Sequence, residues 1–197
     1  MSEVYKLYSA KGSGGSIIEL LLELSKAPHE ITYFEWDELR VNSEYKKINP
    51  LSQVPGLVLP DGRVMTESLA IAMYLDNQFK MKLAPMDNPV FLRWSVFLVG
   101  SIYPTFTFGD VPKTWVTNPE AQKELTATTD EARKKMWLQV EEAASDEKWF
   151  LGKELSLVDI YMSVMYEWRP GKAWFDSNCP KLSKIAKTIQ NRQSPLI

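Results

Sequence analysis

The hydrophobic periodicity of the chain changes once, near residue 80. Before that point short β-type runs such as "VYKLYS" (4–9) and "ITYFEW" (31–36) alternate with helical segments, the first of which follows Ser16. Asp61-Gly62 lies between two later apolar runs, and this pair readily supplies the positive φ angles of a hairpin turn. The sequence up to residue 80 therefore predicts a βαβ unit followed by a hairpin and a further helix.

The second part of the chain contains helix-start signals and no alternation typical of a strand. Proline follows asparagine at 88–89 and again at 118–119, Ser156 and Asp159 form a capping-box variant, and Pro180 is placed to open a last helix. The predicted domains are an α/β domain over 1–80, a linker over 81–88 and an all-helical domain over 89–197.

The composition of the chain argues against several classes of ligand and of catalytic site. The 197 residues include 23 basic and 25 acidic side chains, so the net charge of −2 predicts neither nucleic-acid binding nor attachment to an anionic membrane. The first residues lack a secretory pattern, and a cytosolic protein is expected. Cys179 and His29 are the single cysteine and histidine, which excludes an internal disulfide, a histidine triad and most zinc sites. No metal is expected.

The segment "NPLSQVPGLVLPDGRVMTES" (49–68) contains two features that suit a peptide ligand. Val54-Pro55 precedes a predicted strand, and a cis bond there would leave the backbone N–H and C=O of Val54 free to pair with a bound peptide. Glu67 and Ser68 lie at a helix start, where they offer a carboxylate to an ammonium group and donors to a carboxylate. Each feature alone has a structural explanation, as a turn or a helix cap. Their combination favours a ligand with an amino-acid head group and peptide bonds.

These motifs resemble the glutathione-binding half of the cytosolic glutathione transferases, in which an Asn-Pro, a Val-Pro with cis proline and a Glu-Ser pair recur in this order. "LSLVDIYMSVMYEW" is similar to the capping-box helix of that family, with Asp159 as its buried aspartate. The resemblance implies a thioredoxin-like βαβαββα domain, an all-helical C-terminal domain and a homodimer. It also implies that glutathione is the co-substrate, conjugated to hydrophobic electrophiles.

The resemblance assigns roles to positions in the first domain. Val54, with Pro55, would pair with the cysteinyl part of glutathione, and Glu67 and Ser68 would hold its γ-glutamyl end. Gln53 and Arg40 are similar to positions that reach the glycyl end, where a guanidinium suits a carboxylate. Arg40 has an equally good explanation as a solvated charge.

The catalytic position falls in the opening loop of "LYSAKGSGGS". Aligned with the theta and zeta patterns, Ser13 takes the place of the catalytic serine, whose hydroxyl stabilises the thiolate. The loop has no cysteine, which argues against mixed-disulfide chemistry. Ser16 with Glu19 fits a capping box and is interpreted as the helix cap. The alternative interpretation of Ser13 is that its hydroxyl only keeps the loop soluble. The loop also lacks the arginine that many serine-type members of the family carry shortly after the catalytic serine.

The electrophile site is expected in the helical half. Pro104 should kink or end its helix and expose Tyr103, Phe106 and Phe108, an aromatic wall suited to apolar substrates, although each ring alone is equally explained as core. Trp168 and Trp174 flank "RPGKA" and are both expected to close the same pocket. The residues leave two alternatives open: a glutathione-binding or regulatory protein without transferase activity, and a glutathione-dependent isomerase or peroxidase.

Overall fold

The computed structural model describes residues 4–191, and the outermost parts of the two predicted domains, 1–3 and 192–197, lie outside this range. The chain divides into two compact units after Ala84, a position inside the predicted linker. The N-terminal unit contains β1 (Tyr5–Ser9), α1 (Gly15–Ser25), β2 (His29–Tyr33), α2 (Trp36–Val41), β3 (Gly56–Val58), β4 (Val64–Met65) and α3 (Ser68–Phe79). This order confirms the βαβαββα prediction.

The four strands form one sheet in the order β2-β1-β3-β4. β2 runs parallel to β1, whereas β3 is antiparallel to both β1 and β4. The ends of β1, β2 and β4 and the start of β3 therefore lie at the same edge of the sheet, which we call the loop edge. Gly62, at φ +89°, makes the predicted turn between β3 and β4.

The core of this unit comes from the apolar face of α1. Ile17, Ile18, Leu21 and Leu22 are fully buried, and α1 packs against β1 and α3. The spacing of these residues places them on one side of a helix, so burial of that face holds α1 on the sheet.

One strand boundary differs from the sequence prediction. The predicted strand runs to Trp36, but β2 ends at Tyr33 and Trp36 begins α2. The N–H of Phe34 still bonds to the carbonyl of Ser9 at 2.9 Å, after which the chain leaves the ladder. Asp37 and Glu38 occupy the first turn of α2, where carboxylates interact favourably with the helix dipole.

The second unit is helical. Its elements are α4 (Pro89–Phe97), a π-helical turn (Leu98–Ile102), α5 (Tyr103–Asp110), α6 (Pro119–Ala143), α7 (Leu157–Met165), α8 (Lys172–Asn178) and α9 (Pro180–Asn191). Asn88 and Asn118 cap α4 and α6 as predicted, and their side-chain oxygens accept backbone N–H groups at 2.9 Å and 2.8 Å. Within 85–191 the β-type pairing is a single bridge between Trp149 and Gly152.

Two features of the helical unit differ from the sequence prediction. Pro104 was expected to kink or end its helix, and the chain instead winds through the π-helical turn before Pro104 and continues as α5. The short helix α8 was not anticipated. Across residues 4–191, none of the helices combines the length and the apolar character needed to cross a lipid bilayer.

The predicted capping box of α7 is confirmed. Asp159 is fully buried, and its carboxylate accepts hydrogen bonds from the N–H and hydroxyl of Ser156 at 2.8 Å and 2.7 Å. It also accepts the N–H of Phe150 at 2.7 Å. One carboxylate therefore fixes the start of α7 and ties it to the turn that precedes it.

Candidate functional site

The sheet topology gathers the predicted ligand-binding segments at the loop edge. Leu57 in β3 pairs with Met65, the last residue of β4, so the segments that carry Val54-Pro55 and Glu67-Ser68 adjoin the same edge of the sheet. The pairing of Tyr8 with Gly56 brings the loop after β1 to the same edge. Segments separated by more than 50 residues in sequence thus converge through strand pairing.

Ser13 lies in the loop after β1, with 5% of its surface exposed. Its Oγ accepts the N–H of Gly15 at 3.0 Å, and its own N–H donates to the carbonyl of Ala10 at 3.1 Å. Within the described part of the chain the Ser13 hydroxyl donates no hydrogen bond. Its proton is therefore available to a ligand at the start of α1.

The interpretation of Ser16 as the helix cap is wrong. α1 begins at Gly15 with Gly14 in the N-cap position and no side-chain cap at that residue. Glu19, expected to complete the box, instead accepts hydrogen bonds from the hydroxyls of Ser9 at 2.8 Å and Tyr33 at 2.9 Å. The N-cap therefore lies two residues earlier than predicted, and Ser13 supplies the oxygen that accepts the N–H of Gly15, the first residue of the helix.

Gly15 permits this tight start. A Cβ at Gly15 would lie 2.1 Å from the Oγ of Ser9 and 3.1 Å from the Oγ of Ser13. Since contacts below 3.0 Å force a neighbour to move, any larger residue at Gly15 would displace the side chain of Ser9. The Ser9–Glu19 contact was not predictable from local sequence, because no spacing rule links a strand end to the second turn of a helix.

The segment before β3 is held in place by hydrogen bonds to the carbonyl of Gln53. The Val54-Pro55 bond is cis, as expected. The carbonyl of Gln53 accepts hydrogen bonds from the Tyr45 hydroxyl at 2.6 Å and from the Asn49 amide at 2.7 Å. Among the described residues the backbone N–H and C=O of Val54 have no hydrogen-bond partner. Val54 can therefore offer both groups to an extended ligand.

Tyr45 anchors this segment to the domain. Its ring contacts Tyr8 and Phe34 at centroid distances of 5.7 Å and 5.0 Å. A Cβ at Gly56 would lie 2.9 Å from the Tyr45 hydroxyl oxygen, so the strand start packs closely on the phenol. Burial raises the pKa of Tyr45 to about 12, so the phenol stays protonated and keeps donating to Gln53.

Glu67 and Ser68 occupy the start of α3. Glu67 is the N-cap residue at φ +67°, ψ +105°, a conformation that L residues rarely adopt, and its side chain is exposed. Strain of this kind costs about 1–3 kcal/mol and is concentrated at functional sites. The side chain of Ser68 is buried.

Gln53 and Arg40 are both exposed. Arg40 lies in the last turn of α2 and forms no ion pair with any other described residue. A free guanidinium on the helix that follows β2 is available to a ligand carboxylate.

In the helical unit the structure brings together two of the three predicted electrophile residues. The Trp168 ring lies 5.4 Å from Tyr103 and 5.2 Å from Phe106, measured between ring centroids. The Phe108 ring packs instead against Trp115 at a centroid distance of 4.8 Å, and the Trp174 ring packs against Phe175 at 5.5 Å. Tyr103, Phe106 and Trp168 form what we call the aromatic cluster.

Two family models match the sequence: the glutathione S-transferase N-terminal domain over residues 16–78 and the glutathione S-transferase C-terminal domain over residues 104–192. The GST-like protein YncG of Escherichia coli strain K12, itself described as uncharacterized, is 37% identical over 191 residues, which cover 93% of this chain and 91% of YncG. The chain belongs to the glutathione S-transferase family.

Solved structures share the fold of this glutathione S-transferase family member. A glutathione transferase homolog from Sulfitobacter with bound glutathione has a TM-score of 0.86 at 20% identity, over 98% of this chain and 95% of the other. BphK, a bacterial GST solved as a ternary complex, has a TM-score of 0.77 at 25% identity, with 97% of both chains covered. The thioredoxin-like domain and the helical domain are therefore those of the family.

Neither the single cysteine nor the single histidine of this glutathione S-transferase family member is part of the loop-edge segments. Cys179 is buried, and burial together with the nearby carboxylate of Glu141 raises its thiol pKa to about 12, so the reactive thiolate is scarce. His29 contacts the carbonyl of Ala27 through Nδ1 at 2.8 Å. Residues 4–191 contain no cluster of three histidine, cysteine or carboxylate side chains able to hold a metal ion.

Arg133 in α6, which is not among the predicted site residues, is fully buried with its guanidinium carbon 3.8 Å from the centre of the Phe106 ring. A signal was available. Arg133, Trp137 and Val140 are spaced at i, i+4 and i+7, which places the arginine on the buried face of the helix.

Proposed function

We propose that this protein is a serine-type glutathione transferase, with theta/zeta-like features, that binds glutathione along the loop edge. The observation that carries the proposal is the convergence of Ser13, Val54 and Glu67-Ser68 at one edge of the sheet. A tripeptide with a free α-amino acid head group matches the unpaired backbone of Val54 and the carboxylate at the start of α3. Family membership supports the same ligand.

Each segment has a part in holding glutathione. The backbone of Val54, shaped by Pro55, pairs with the cysteinyl residue, while Glu67 and Ser68 bind the ammonium and carboxylate of the γ-glutamyl residue. Gln53 and Arg40 bind the glycyl carboxylate. The ligand spans the start of two helices and the start of β3, so its thiol is directed toward the loop after β1.

Ser13 stabilises the glutathione thiolate in this proposal. Its hydroxyl oxygen accepts the N–H of Gly15 while the hydroxyl donates a hydrogen bond to the thiolate sulfur, whose own proton is released to solvent. Hydrogen bonding to the charged form lowers the thiol pKa from its ordinary value. The thiolate sulfur forms a bond to an electrophilic carbon, and the leaving group departs with the electron pair of the broken bond. Proximity accounts for much of the acceleration.

Glu67→Ala is expected to weaken glutathione binding about tenfold or more, because a charge-assisted hydrogen bond to the ammonium group contributes about 1.5–3 kcal/mol. Isothermal titration of the protein with glutathione measures the change. Glu30→Ala is the matched control, since Glu30 is an exposed carboxylate on the edge strand β2. An unchanged dissociation constant for Glu67→Ala would remove Glu67 from the site.

Tyr45→Phe is expected to weaken glutathione binding by roughly fivefold, since it removes the 2.6 Å hydrogen bond that holds the Gln53 carbonyl. The same titration measures the effect. Tyr166→Phe serves as the control, because it removes a phenol hydrogen bond of 2.8 Å to Asp176 in the helical unit. Equal losses in both variants would show that Tyr45 has no specific part in shaping the site.

A glutathione-binding protein without transferase activity is the second candidate. The observation that favours it is the bond from Gly15 to Ser13, which gives that hydroxyl a purely structural role as a helix cap. Titration with glutathione, followed by a conjugation assay on a chlorinated nitroaromatic, separates the two. Binding with conjugation supports the transferase, and binding without conjugation of this or other electrophiles supports the second candidate.

The remaining parts of the proposal come from the family resemblance. We propose a homodimer in the cytosol and a small hydrophobic electrophile as the second substrate. A glutathione-dependent isomerase or peroxidase would use the same binding residues and differ only in that second substrate.

A further inference from the structure

A half-buried carboxylate in the second turn of α1 binds the last residues of two neighbouring strands. Glu19 accepts the hydroxyl of Ser9 at 2.8 Å through one oxygen and the hydroxyl of Tyr33 at 2.9 Å through the other. Ser9 ends β1, Tyr33 ends β2, and the two residues are partners in the parallel register. One carboxylate therefore joins the ends of both strands to α1 at the loop edge.

Both hydroxyls are held as donors to this carboxylate. Burial, together with the hydrogen bond to Glu19, raises the pKa of Tyr33 to about 12, so its phenol stays protonated. Ser9 is fully buried, and a hydroxyl bonded to a carboxylate makes a stronger hydrogen bond than one between neutral groups. The side chain of Ser9 is therefore firmly fixed at the end of β1.

Ser9 is connected to Ser13 along two short paths. The residue after Ser9, Ala10, accepts the N–H of Ser13 through its carbonyl at 3.1 Å. The Oγ of Ser9 also lies so close to Gly15 that a Cβ there would be only 2.1 Å away, and the N–H of Gly15 donates to the Oγ of Ser13 at 3.0 Å. The immediate neighbours of Ser9 thus hold both the backbone and the hydroxyl of Ser13.

We propose that Glu19 is a positioning residue for thiol activation, because by holding Ser9 it sets the place of the Ser13 hydroxyl that donates to the glutathione thiolate. This inference rests on the proposed function, since it adds a residue to the same site. Glu19 does not contact glutathione in this proposal and acts through Ser9 alone. A displacement of about 1 Å in a group that acts on the substrate can cost a large part of the rate.

The negative charge of Glu19 separates positioning from a direct electrostatic effect. A nearby carboxylate disfavours a thiolate and raises the pKa of the thiol. Removal of that charge alone would therefore lower the pKa of bound glutathione, whereas a misplaced Ser13 hydroxyl would raise it. The direction of the change in the thiol pKa distinguishes the two effects.

The test compares Glu19→Ala with Ser9→Ala, which keeps the carboxylate. Ultraviolet titration of the bound thiolate should show a raised thiol pKa in both variants. In both, kcat for conjugation of a chlorinated nitroaromatic should fall roughly tenfold, while the dissociation constant of glutathione stays within about twofold of the wild type. The double variant should lose little more than either single variant, because the two residues act through one hydrogen bond.

Glu19→Gln tests for rescue, because its amide oxygen can still accept the hydroxyl of Ser9, and it should recover most of kcat. Glu23→Ala is the matched control, since Glu23 is an exposed carboxylate one turn further along α1. Its kcat and thiol pKa should match those of the wild type. Thermal unfolding checks that each variant is folded, and if Glu19→Ala is not, Ser9→Ala and Glu19→Gln carry the comparison.

The outcomes separate this inference from the proposed function. A thiol pKa that falls or stays constant in the folded variants of Glu19 and Ser9, or an equal loss of kcat in Glu23→Ala, overturns the role of Glu19 even where Ser13→Ala is impaired. Full activity of Ser13→Ala overturns the proposed role of Ser13, and the inference with it. Failure of the wild-type protein to bind glutathione overturns the proposed function itself.

Discussion

Asp159→Ala is expected to lower the free energy of unfolding by about 3–5 kcal/mol, because it leaves three buried donors without an acceptor. These donors are the N–H groups of Phe150 and Ser156 and the Ser156 hydroxyl. The helix they begin, α7, is almost wholly buried, so it cannot shift toward solvent to recover the lost bonds.

Urea unfolding followed by tryptophan fluorescence measures this loss, since Trp137 and Trp149 are buried in the same unit. Asp146→Ala is the matched control. Asp146 pairs with Lys181 at 2.6 Å, but its side chain is 92% exposed, so the stability should be close to that of the wild type. A loss for Asp159→Ala no greater than for Asp146→Ala would contradict the role of the capping box.

The same residue should add a pH-dependent component to stability. Burial raises the pKa of Asp159 to about 6, above the ordinary value of the unfolded chain, although its hydrogen bonds act in the opposite direction. The folded state therefore binds this proton more tightly than the unfolded state. The stabilising contribution is complete below about pH 4 and is lost as the pH rises through 6. The difference in unfolding free energy between wild type and Asp159→Asn should fall across this window and level off above it.

Ser13→Ala is expected to reduce kcat/KM for conjugation by about 10²–10³-fold, the usual effect of removing one donor from a developing or stabilised anion. Glutathione affinity should stay nearly unchanged, because Val54, Glu67 and Ser68 hold the peptide in the proposed site. The pKa of the bound thiol should rise toward its ordinary value, which ultraviolet titration of the thiolate absorbance measures.

Ser16→Ala controls for this experiment, since Ser16 is a neighbouring serine with no side-chain hydrogen bond among the described residues. Ser13→Ala also removes an acceptor for the N–H of Gly15, which costs about 1 kcal/mol of helix stability. Thermal unfolding of both variants separates that cost from catalysis. Full activity of a folded Ser13→Ala protein would show that another group activates the thiol.

The fold was predictable in type and order because local signals repeat along the chain. The apolar face of α1, the Asp61-Gly62 turn and the Asn-Pro helix starts each act over a few residues and agree with one another. Boundaries were less predictable where a long-range bond ends an element. β2 stops at Tyr33, after which Phe34 still bonds to Ser9, and Glu19 of α1 bonds to Ser9 and Tyr33; local spacing does not encode these contacts between residues ten or more apart.

The candidate site, like the fold, was predictable from the sequence only in part. The sequence by itself determined the groups that suit a peptide ligand, namely the Val-Pro and Glu-Ser pairs and a serine loop, since each is a local arrangement of backbone and side chain. Only the tertiary structure decided that they meet at one sheet edge, that Glu19 bonds to Ser9 and Tyr33 instead of completing a capping box, and that Phe108 packs on Trp115. Strand register and helix packing depend on residues far apart in the chain, so these outcomes follow from the fold as a whole and not from any local motif.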